Sequence, residues 1–265
     1  MPAIVEQSLA LPGGGILYDA SRLRKPQGPL FSREHWRAQG ALTEVAGGRG
    51  SVCFLRTPEG SWVWRHYRRG GFVARVIADA YLWLGAARTR SFAEWRLLAE
   101  LRELSLPVPA PIAAGYLRKG LTYRADIITE ELQDARTLAA AMSAAELSPE
   151  QWRNVGRTIA AFHRQGVQHA DLNAQNILLC GDAGGLGEVY LIDFDRGRIR
   201  ARGAWEQRVL ARLQRSLEKV SGQRGAKFGP NEWGWLMDGV ADSVIPAQAA
   251  IQPSPDPDGS PPARG

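Results

Sequence analysis

The sequence predicts an α+β fold of two lobes, a β-rich N-terminal lobe and a mainly helical C-terminal lobe with a cleft between them. Runs of β-branched and aromatic residues alternate with turn signals up to about residue 132, and helical periodicity dominates afterwards. Within the helical half, two short apolar segments carry polar, acidic side chains at their edges. The predicted units are an irregular lead-in (1–40), an N-terminal lobe (41–132), a C-terminal lobe (133–244) and a disordered tail (245–265).

The composition is that of a soluble globular protein, with 45% hydrophobic and 23% charged residues and a net charge of +6. Cys53 and Cys180 have neither metal-site nor redox spacing and indicate no secreted disulfide framework. The chain opens without the features of a signal peptide, and no apolar run reaches the ~18 residues of a membrane span. The sequence therefore favours a cytoplasmic protein. Nearly all the positive charge is arginine, which by itself is weak support for an anionic partner, and we expect no nucleic acid among its partners.

The N-terminal elements follow from turn and capping signals. We expect one strand near 15–19 within the lead-in, and a hairpin whose strands SVCFLRT and SWVWRHY flank the turn at 58–60. A helix is predicted over 72–85 between glycines. A second helix is predicted over 91–104, with Ser91 as the cap and Glu94 at the capping-box position.

Prolines at 107, 109 and 111 then interrupt the chain before two further strands, joined by a turn at 118–120. The next long helix is expected to begin at the Ser148 cap, with Pro149 in the first helical position, and to end at Gly166. Two more helices are predicted over 204–220 and 231–240.

The segment HADLNAQN (169–176) has the spacing of a kinase catalytic loop, with Asp171 and Asn176 five residues apart, and Asp193 follows a later strand in LIDFDRG. Phosphoryl transfer requires an Asp that accepts the proton of the attacking hydroxyl, and oxygen ligands for the Mg²⁺ that bridges the phosphates. We assign the first role to Asp171 and the metal to Asn176 and Asp193, with His169 bracing the loop. The alternative is that Asp171 and Asn176 only cap a turn, but the second Asp at a suitable distance argues against it.

The nucleotide-binding residues of the N-terminal lobe are less distinct. Gly48 and Gly50, within GGRGS, are candidates for a loop over the phosphates, although Cys53 stands where a kinase loop has its third glycine. The alternative is a simple turn. Arg65 occupies the position of the kinase strand lysine, and Glu94 on the following helix is its expected ion-pair partner. The alternatives are an exposed strand arginine and a capping-box glutamate.

Four segments together resemble the 3-deoxy-D-manno-octulosonic acid (Kdo) kinases of Gram-negative bacteria, a lipopolysaccharide kinase group with a protein-kinase-like fold. They are RHYRRGG (65–71), GLTYRADIITEEL (120–132), HADLNAQNILL (169–179) and LIDFDRG (191–197). The resemblance covers about 47–217 and implies ATP-dependent phosphorylation of the 4-hydroxyl of Kdo attached to a lipid A precursor. Members of this family carry Arg in RHYRRGG, so Arg65 fits an active enzyme.

An acceptor of this kind is anionic and lipid-borne, which suits the arginine-rich surface. The stretch 65–90 interleaves six arginines with aromatic residues and contains one acid, Asp79, which indicates peripheral contact with the cytoplasmic face of the inner membrane. The alternative is a buried helix with solvated ends. Arg212 and Arg215 on a later helix are candidates for the acceptor side, although a solvated helix face is the commoner explanation.

Two other functions stay open at this point. One is another sugar kinase of the same fold, such as a heptose- or aminoglycoside-phosphorylating enzyme, although a cationic aminoglycoside calls for an acidic site. The other is a membrane-bound pseudokinase scaffold, favoured by Arg65, by Cys53 and by Asp195 where a kinase has the Gly of its Asp-Phe-Gly motif. The intact set of Asp171, Asn176 and Asp193 argues against a scaffold. The sequence leaves the oligomeric state open.

Overall fold

A computed structural model describes residues 3–24, 26, 29–45, 52–68, 80–181 and 187–242. The protein is mixed α/β, with a β-sheet-rich N-terminal part and a helical C-terminal part. The strands of the N-terminal sheet are β1 (Glu6–Leu11), β2 (Gly14–Asp19), β3 (Leu42–Val45), β4 (Val52–Thr57), β5 (Gly60–His66), β6 (Tyr81–Leu82), β7 (Pro111–Lys119) and β8 (Thr122–Glu130). They run antiparallel in the order β1-β2-β7-β8-β5-β4-β3, with β6 also paired to β8.

Side-chain alternation gives the sheet two buried faces. Cys53 and Leu55 on β4, with Trp62 and Trp64 on β5, point into a small core on one face. This core is closed by α1 (Arg33–Ala38) through Trp36, whose Nε1 donates to the Leu30 carbonyl at 2.8 Å. The opposite face packs against α2 (Arg90–Glu103) and opens into a large core shared with the C-terminal helices.

The lead-in is not irregular, contrary to expectation. The predicted strand near 15–19 is present as β2, but β1 pairs with it and β2 in turn pairs with β7. Ser32 caps α1, accepting a hydrogen bond from the backbone N–H of His35 at 3.2 Å. Short strands and a helix of six residues each bury too few side chains to show a clear hydrophobic period. Their positions in the chain are therefore determined by pairing and packing with neighbouring elements, which the local sequence does not reveal.

The helix predicted over 72–85 is wrong at its C-terminal end, and its first part lies outside the described residues. Tyr81–Leu82 is strand β6, and a 3-10 turn follows at Ala86–Arg88. The Tyr81 ring packs on Tyr123 at 5.6 Å between centroids, so aromatic packing and strand pairing override helical propensity here.

The C-terminal part follows the predicted order closely. Its helices are α3 (Leu138–Ala144), α4 (Pro149–Arg164), α5 (Trp205–Arg224) and α6 (Pro230–Asp242), and its strands are β9 (Ala135–Thr137), β10 (Val167–Gln168), β11 (Ile177–Cys180), β12 (Glu188–Leu191) and β13 (Arg198–Ile199). Ser148 forms the predicted cap, here a full capping box with Gln151, and Gly166 adopts a φ of 70° just beyond α4. The predicted tail (245–265) lies outside the described residues.

Among the described residues, no helix has both the length and the apolarity needed to cross a bilayer. Neither Cys53 nor Cys180, both among the described residues, takes part in a disulfide.

Two glycines allow α4 and α6 to pack at close range. A Cβ at Gly156 on α4 would lie 2.0 Å from the Leu236 carbonyl oxygen, and one at Gly239 on α6 would lie 2.0 Å from the Arg153 carbonyl oxygen. Each obstacle is backbone, so relief would require the helices to move apart. The close contact holds α6 against the helix that leads into the catalytic loop.

We expect Gly156→Ala to lower the free energy of unfolding by about 1–3 kcal/mol, the usual range for overpacking. Gly234→Ala on α6 is the matched control, because its Cβ would meet no atom within 4 Å. The control should raise stability by at most about 1 kcal/mol through helix propensity. Urea unfolding of both variants measures the difference, and equal stabilities would contradict the packing argument.

Candidate active site

The loop 169–176 connects β10 to β11 and is braced by His169, as predicted. His169 Nε2 donates to the Ile192 carbonyl at 2.9 Å, and Nδ1 accepts the backbone N–H of Asp171 at 3.2 Å. Burial lowers the pKa of His169, which keeps the ring neutral with the single proton on Nε2 that these two bonds require. The histidine therefore fixes the loop relative to the strand before Asp193.

Two asparagine side chains bind the main chain at Asp171 and leave its carboxylate free of the loop. Asn173 Nδ2 and Asn176 Nδ2 donate to the Asp171 carbonyl at 2.8 and 2.9 Å. Asn173 Oδ1 also accepts the N–H of Gln175 at 2.8 Å. The Asp171 side chain is 62% exposed, so an acceptor hydroxyl has access to it.

The β11–β12 hairpin brings Asn176 and Asp193 together. Ile177 pairs with Leu191, and the Ile192 N–H donates to the Asn176 carbonyl at 3.0 Å, which places the two residues at the open end of the hairpin. Asp193 adopts a left-handed φ of 64°. The next residue, Phe194, is fully buried between the Phe162 and His169 rings at 5.7 and 4.7 Å.

These two residues suit a divalent cation. Asp193 Oδ1 is buried and accepts no hydrogen bond from the described residues. The Asn176 side-chain N–H donates to the Asp171 carbonyl, which leaves Asn176 Oδ1 available as a ligand. The described residues contain no cluster of three or more His, Cys, Asp or Glu side chains able to enclose a metal. A single carboxylate with an amide oxygen matches Mg²⁺ that is bound largely through substrate phosphates.

Arg65 joins the N-terminal sheet to this centre. Its Nη2 donates to both carboxylate oxygens of Glu94, at 2.6 and 2.7 Å, and its Nη1 lies 3.2 Å from Asp193 Oδ1. The Tyr67 hydroxyl donates to Glu94 Oε2, and the guanidinium lies 4.5 Å from the Tyr67 ring centroid. The predicted Arg65–Glu94 pair is confirmed. Tyr67 was missed, although the two-residue period of a strand places it on the same face as Arg65.

Burial raises the pKa of Glu94, against the opposing effect of the Arg65 guanidinium. For Arg65, burial is the largest single effect and acts to lower the pKa, but Glu94, Tyr67 and Asp193 together outweigh it and hold the pKa well above its ordinary value. The arginine therefore stays charged, and the carboxylate depends on it and on the Tyr67 hydroxyl to remain ionised.

The capping box predicted for Glu94 is wrong. Helix α2 begins at Arg90 with Thr89 as its N-cap, and Ser91 Oγ donates to the Gly115 carbonyl at 2.8 Å instead of capping. The helix starts one residue earlier than predicted, and Glu94 is left free to face Arg65.

Asp195 forms a second link between the two parts of the chain. Its Oδ2 accepts a hydrogen bond from Arg90 Nη1 at 2.8 Å, at the first residue of α2. Burial raises the pKa of Asp195, and Arg90 opposes that effect. The residue that replaces a kinase glycine thus has a defined partner.

Arg212 on α5 contacts the exposed carboxylate of Asp171, with Nη1 2.6 Å from Oδ1. The sequence favoured a solvated helix face for this arginine, and its side chain is indeed 51% exposed, but the ion pair with Asp171 was not predicted. The contact spans 41 residues of chain, so no local signal indicates it. Gly48 and Gly50 lie outside the described residues.

Comparison with known proteins identifies the family. Residues 33–238 match the model of the lipopolysaccharide kinase (Kdo/WaaP) family. The chain belongs to this family. It is 51% identical over 216 residues to a 3-deoxy-D-manno-octulosonic acid kinase of Stenotrophomonas maltophilia (strain R551-3), covering 81% of this chain and 84% of that protein. A protein of the same name from Xanthomonas campestris pv. campestris (strain B100) is 52% identical over 213 residues, covering 80% and 83%.

Family membership makes the protein a phosphotransferase that uses ATP, and a divalent metal is usual in such kinases.

We expect Arg65→Ala and Glu94→Ala each to raise the KM for nucleotide by at least about tenfold and to lower turnover, because each leaves a buried charge without its partner. The double variant should be no worse than the worse single variant, since the two side chains act as one unit. Steady-state kinetics at varied ATP measure both effects.

Arg56→Ala is the matched control on the neighbouring strand β4, where Arg56 pairs with Glu131 near the surface. It should leave the KM for nucleotide unchanged and alter stability by at most about 1 kcal/mol. Additive losses in the double variant would contradict a single Arg65–Glu94 unit.

Proposed function

We propose that this protein is a Mg²⁺- and ATP-dependent kinase that phosphorylates the 4-hydroxyl of a Kdo residue attached to a lipid A precursor. The observation that carries the proposal is the exposed Asp171 carboxylate, held by a braced loop beside Asn176 and Asp193. The matches to Kdo kinases over four-fifths of the chain support the acceptor.

Asp171 is the general base in this proposal. It accepts the proton of the acceptor hydroxyl as that oxygen attacks the γ-phosphorus, and the bond between the γ-phosphorus and the bridging oxygen breaks to release ADP. The loop bonds hold the carboxylate through its main chain, so that its side chain reaches the acceptor without engaging His169 or the asparagines.

Asp193 and Asn176 would hold Mg²⁺, which supplies positive charge to the phosphates in transfer. Arg65 would bind phosphate oxygens while keeping Glu94, because Nη2 holds the Glu94 carboxylate while Nη1 lies on the side of Asp193, 3.2 Å from its Oδ1. Gly48 and Gly50 are proposed to contribute backbone N–H groups to the phosphates.

We also propose a two-lobed, kinase-like arrangement with residues 41–132 and 133–244 as its lobes. Ion pairs Arg65–Asp193 and Arg90–Asp195 cross between these units and support a cleft at their junction. The strands β1 and β2 extend the N-terminal lobe beyond the predicted boundary at 41.

The proposed location is peripheral, on the cytoplasmic face of the inner membrane, and one surface supports it. Four leucines at the turn end of β7–β8 and on or just after β6 are 59–77% exposed: Leu82, Leu84, Leu117 and Leu121. They are close together, because Leu82 pairs with Thr122 and the Trp83 N–H donates to the Leu121 carbonyl at 2.9 Å. Segments 80–88 and 116–124 contain four basic residues and no acid. Exposed leucines with a basic rim suit an anionic lipid surface.

This leucine surface is also near the catalytic centre. Tyr81, which precedes Leu82, packs its ring 4.3 Å from the Arg90 guanidinium, and Arg90 binds Asp195. A protein docked through these leucines would hold its cleft close to lipid-borne sugars.

Asp171→Ala tests the catalytic assignment. We expect a loss of phosphate transfer from ATP to Kdo-lipid A precursor of at least about 10²-fold with nucleotide affinity nearly unchanged, since the base acts on the acceptor. Transfer of labelled γ-phosphate measures the rate, and NMR of the product locates the phosphate on the sugar. Normal turnover in the variant would contradict the role of Asp171, and a wild-type protein that transfers no phosphate would instead favour a scaffold.

Leu117→Ser combined with Leu121→Ser tests the membrane surface. The fraction of protein that sediments with phosphatidylglycerol vesicles should fall at least about tenfold, because the variant no longer buries two leucine side chains in the lipid. Leu104→Ser, at an exposed leucine on the end of α2, is the matched control and should sediment like the wild type. Equal sedimentation of all three proteins would contradict the proposed surface.

A further inference from the structure

One face of α5 carries a row of four exposed cations. Arg208, Arg212, Arg215 and Lys219 follow one another at spacings of four, three and four residues. At 3.6 residues per turn this places them within about 60° of arc, in a row about 16 Å long. The buried residues of the helix, including Leu213 and Leu217, lie on the opposite side. We call this row the basic face of α5.

The basic face has almost no acidic partners. Within the described parts of the chain, Arg208, Arg215 and Lys219 make no ion pair. Many other arginines are paired, among them Arg22, Arg56, Arg90, Arg96, Arg153, Arg157 and Arg202. Glu218, the acid in this half of the helix, lies about 90° away around the axis and accepts a hydrogen bond from Gln214 at 3.2 Å.

The one paired member of the face, Arg212, is bound to the catalytic Asp171. One turn further on, Ser216 Oγ accepts the backbone N–H of Ala174 at 3.1 Å, so α5 holds the catalytic loop at two points. The Arg212 side chain is 51% exposed, and a guanidinium has five N–H donors. Most of its donors therefore remain available beside the carboxylate that receives the acceptor.

No other cation of the described residues forms an ion pair with Asp171. Asn173, two residues after Asp171 where protein kinases have a lysine, is neutral and its side chain is used within the loop. The segment after Asp195 adds positive charge nearby, because the exposed Arg198 and Arg200 lie on or beside β13, which pairs with the strand leading to His169.

We propose that the basic face of α5 is the binding site for the acid groups of the acceptor, namely sugar carboxylate and lipid-headgroup phosphate. Arg212 has two tasks: it holds Asp171 through Oδ1, and it binds the anionic group nearest the accepting hydroxyl. That hydroxyl must come within about 3 Å of Asp171, so neighbouring acid groups of the acceptor fall over this helix. Arg208 and Arg215, each about one turn away, bind the more distant acid groups. The inference rests on the proposed function and names the residues that select the acceptor.

Kinetics at varied acceptor and varied ATP test the site. The variant with Arg208→Gln and Arg215→Gln should raise the KM for Kdo-lipid A precursor about tenfold or more, with kcat and the KM for ATP within about twofold of wild type. Arg212→Gln should raise the acceptor KM and also lower kcat, and Arg212→Lys should restore part of both. Arg24→Gln, an exposed arginine of the N-terminal sheet region, is the matched control and should change neither constant.

Two altered acceptors identify the group that is bound. If the face binds lipid phosphates, the effect of the double variant disappears on a dephosphorylated acceptor; if it binds carboxylate, the effect disappears on the methyl ester. Either result supports the site. Wild-type acceptor KM values in both the double variant and Arg212→Gln would overturn the inference while leaving the proposed function intact. A wild-type protein that transfers no phosphate to Kdo would overturn the proposed function, and the inference with it.

Discussion

The arrangement of the catalytic centre depends on one buried carboxylate, Glu94. An ionised carboxyl is strongly disfavoured in a low-dielectric interior unless it is paired and hydrogen-bonded. Arg65 on β5 and Tyr67 just beyond its end meet both needs and thereby fix the sheet against α2. The other terminal nitrogen of the same guanidinium, Nη1, lies 3.2 Å from Asp193 Oδ1. The pairing that Glu94 requires therefore also fixes Arg65 next to Asp193.

The catalytic loop is organised by a separate set of bonds that involves no buried charge. A neutral histidine and two asparagines bind main-chain groups around Asp171, which leaves the carboxylate at the surface where an acceptor arrives. In the proposed mechanism, the nucleotide side is therefore held by a buried ion pair, and the acceptor side by neutral hydrogen bonds with exposed arginines beyond them.

The sequence was sufficient for interactions that follow from local spacing and strand period. Asn176 and Asp193 come together because the hairpin between them has a fixed register, and the Arg65–Glu94 pair follows from one strand and the next helix. The sequence was insufficient where an element or contact depends on residues far away in the chain. The ion pair of Arg212 was not predicted because its partner is 41 residues away, and β1 and β6 exist only through their sheet neighbours. The Ser91 cap failed because the Gly115 carbonyl competes for that hydroxyl.

The most direct test of these site assignments is a crystal structure with Mg²⁺ and a non-hydrolysable ATP analogue. We predict a metal bonded to side-chain oxygens of Asp193 and Asn176. Arg65 should lie on the nucleotide phosphates, still bound to Glu94, and Asp171 should face the γ-phosphate. A nucleotide bound elsewhere, or an Arg65 that keeps its contact with Asp193 while no metal lies there, would contradict it.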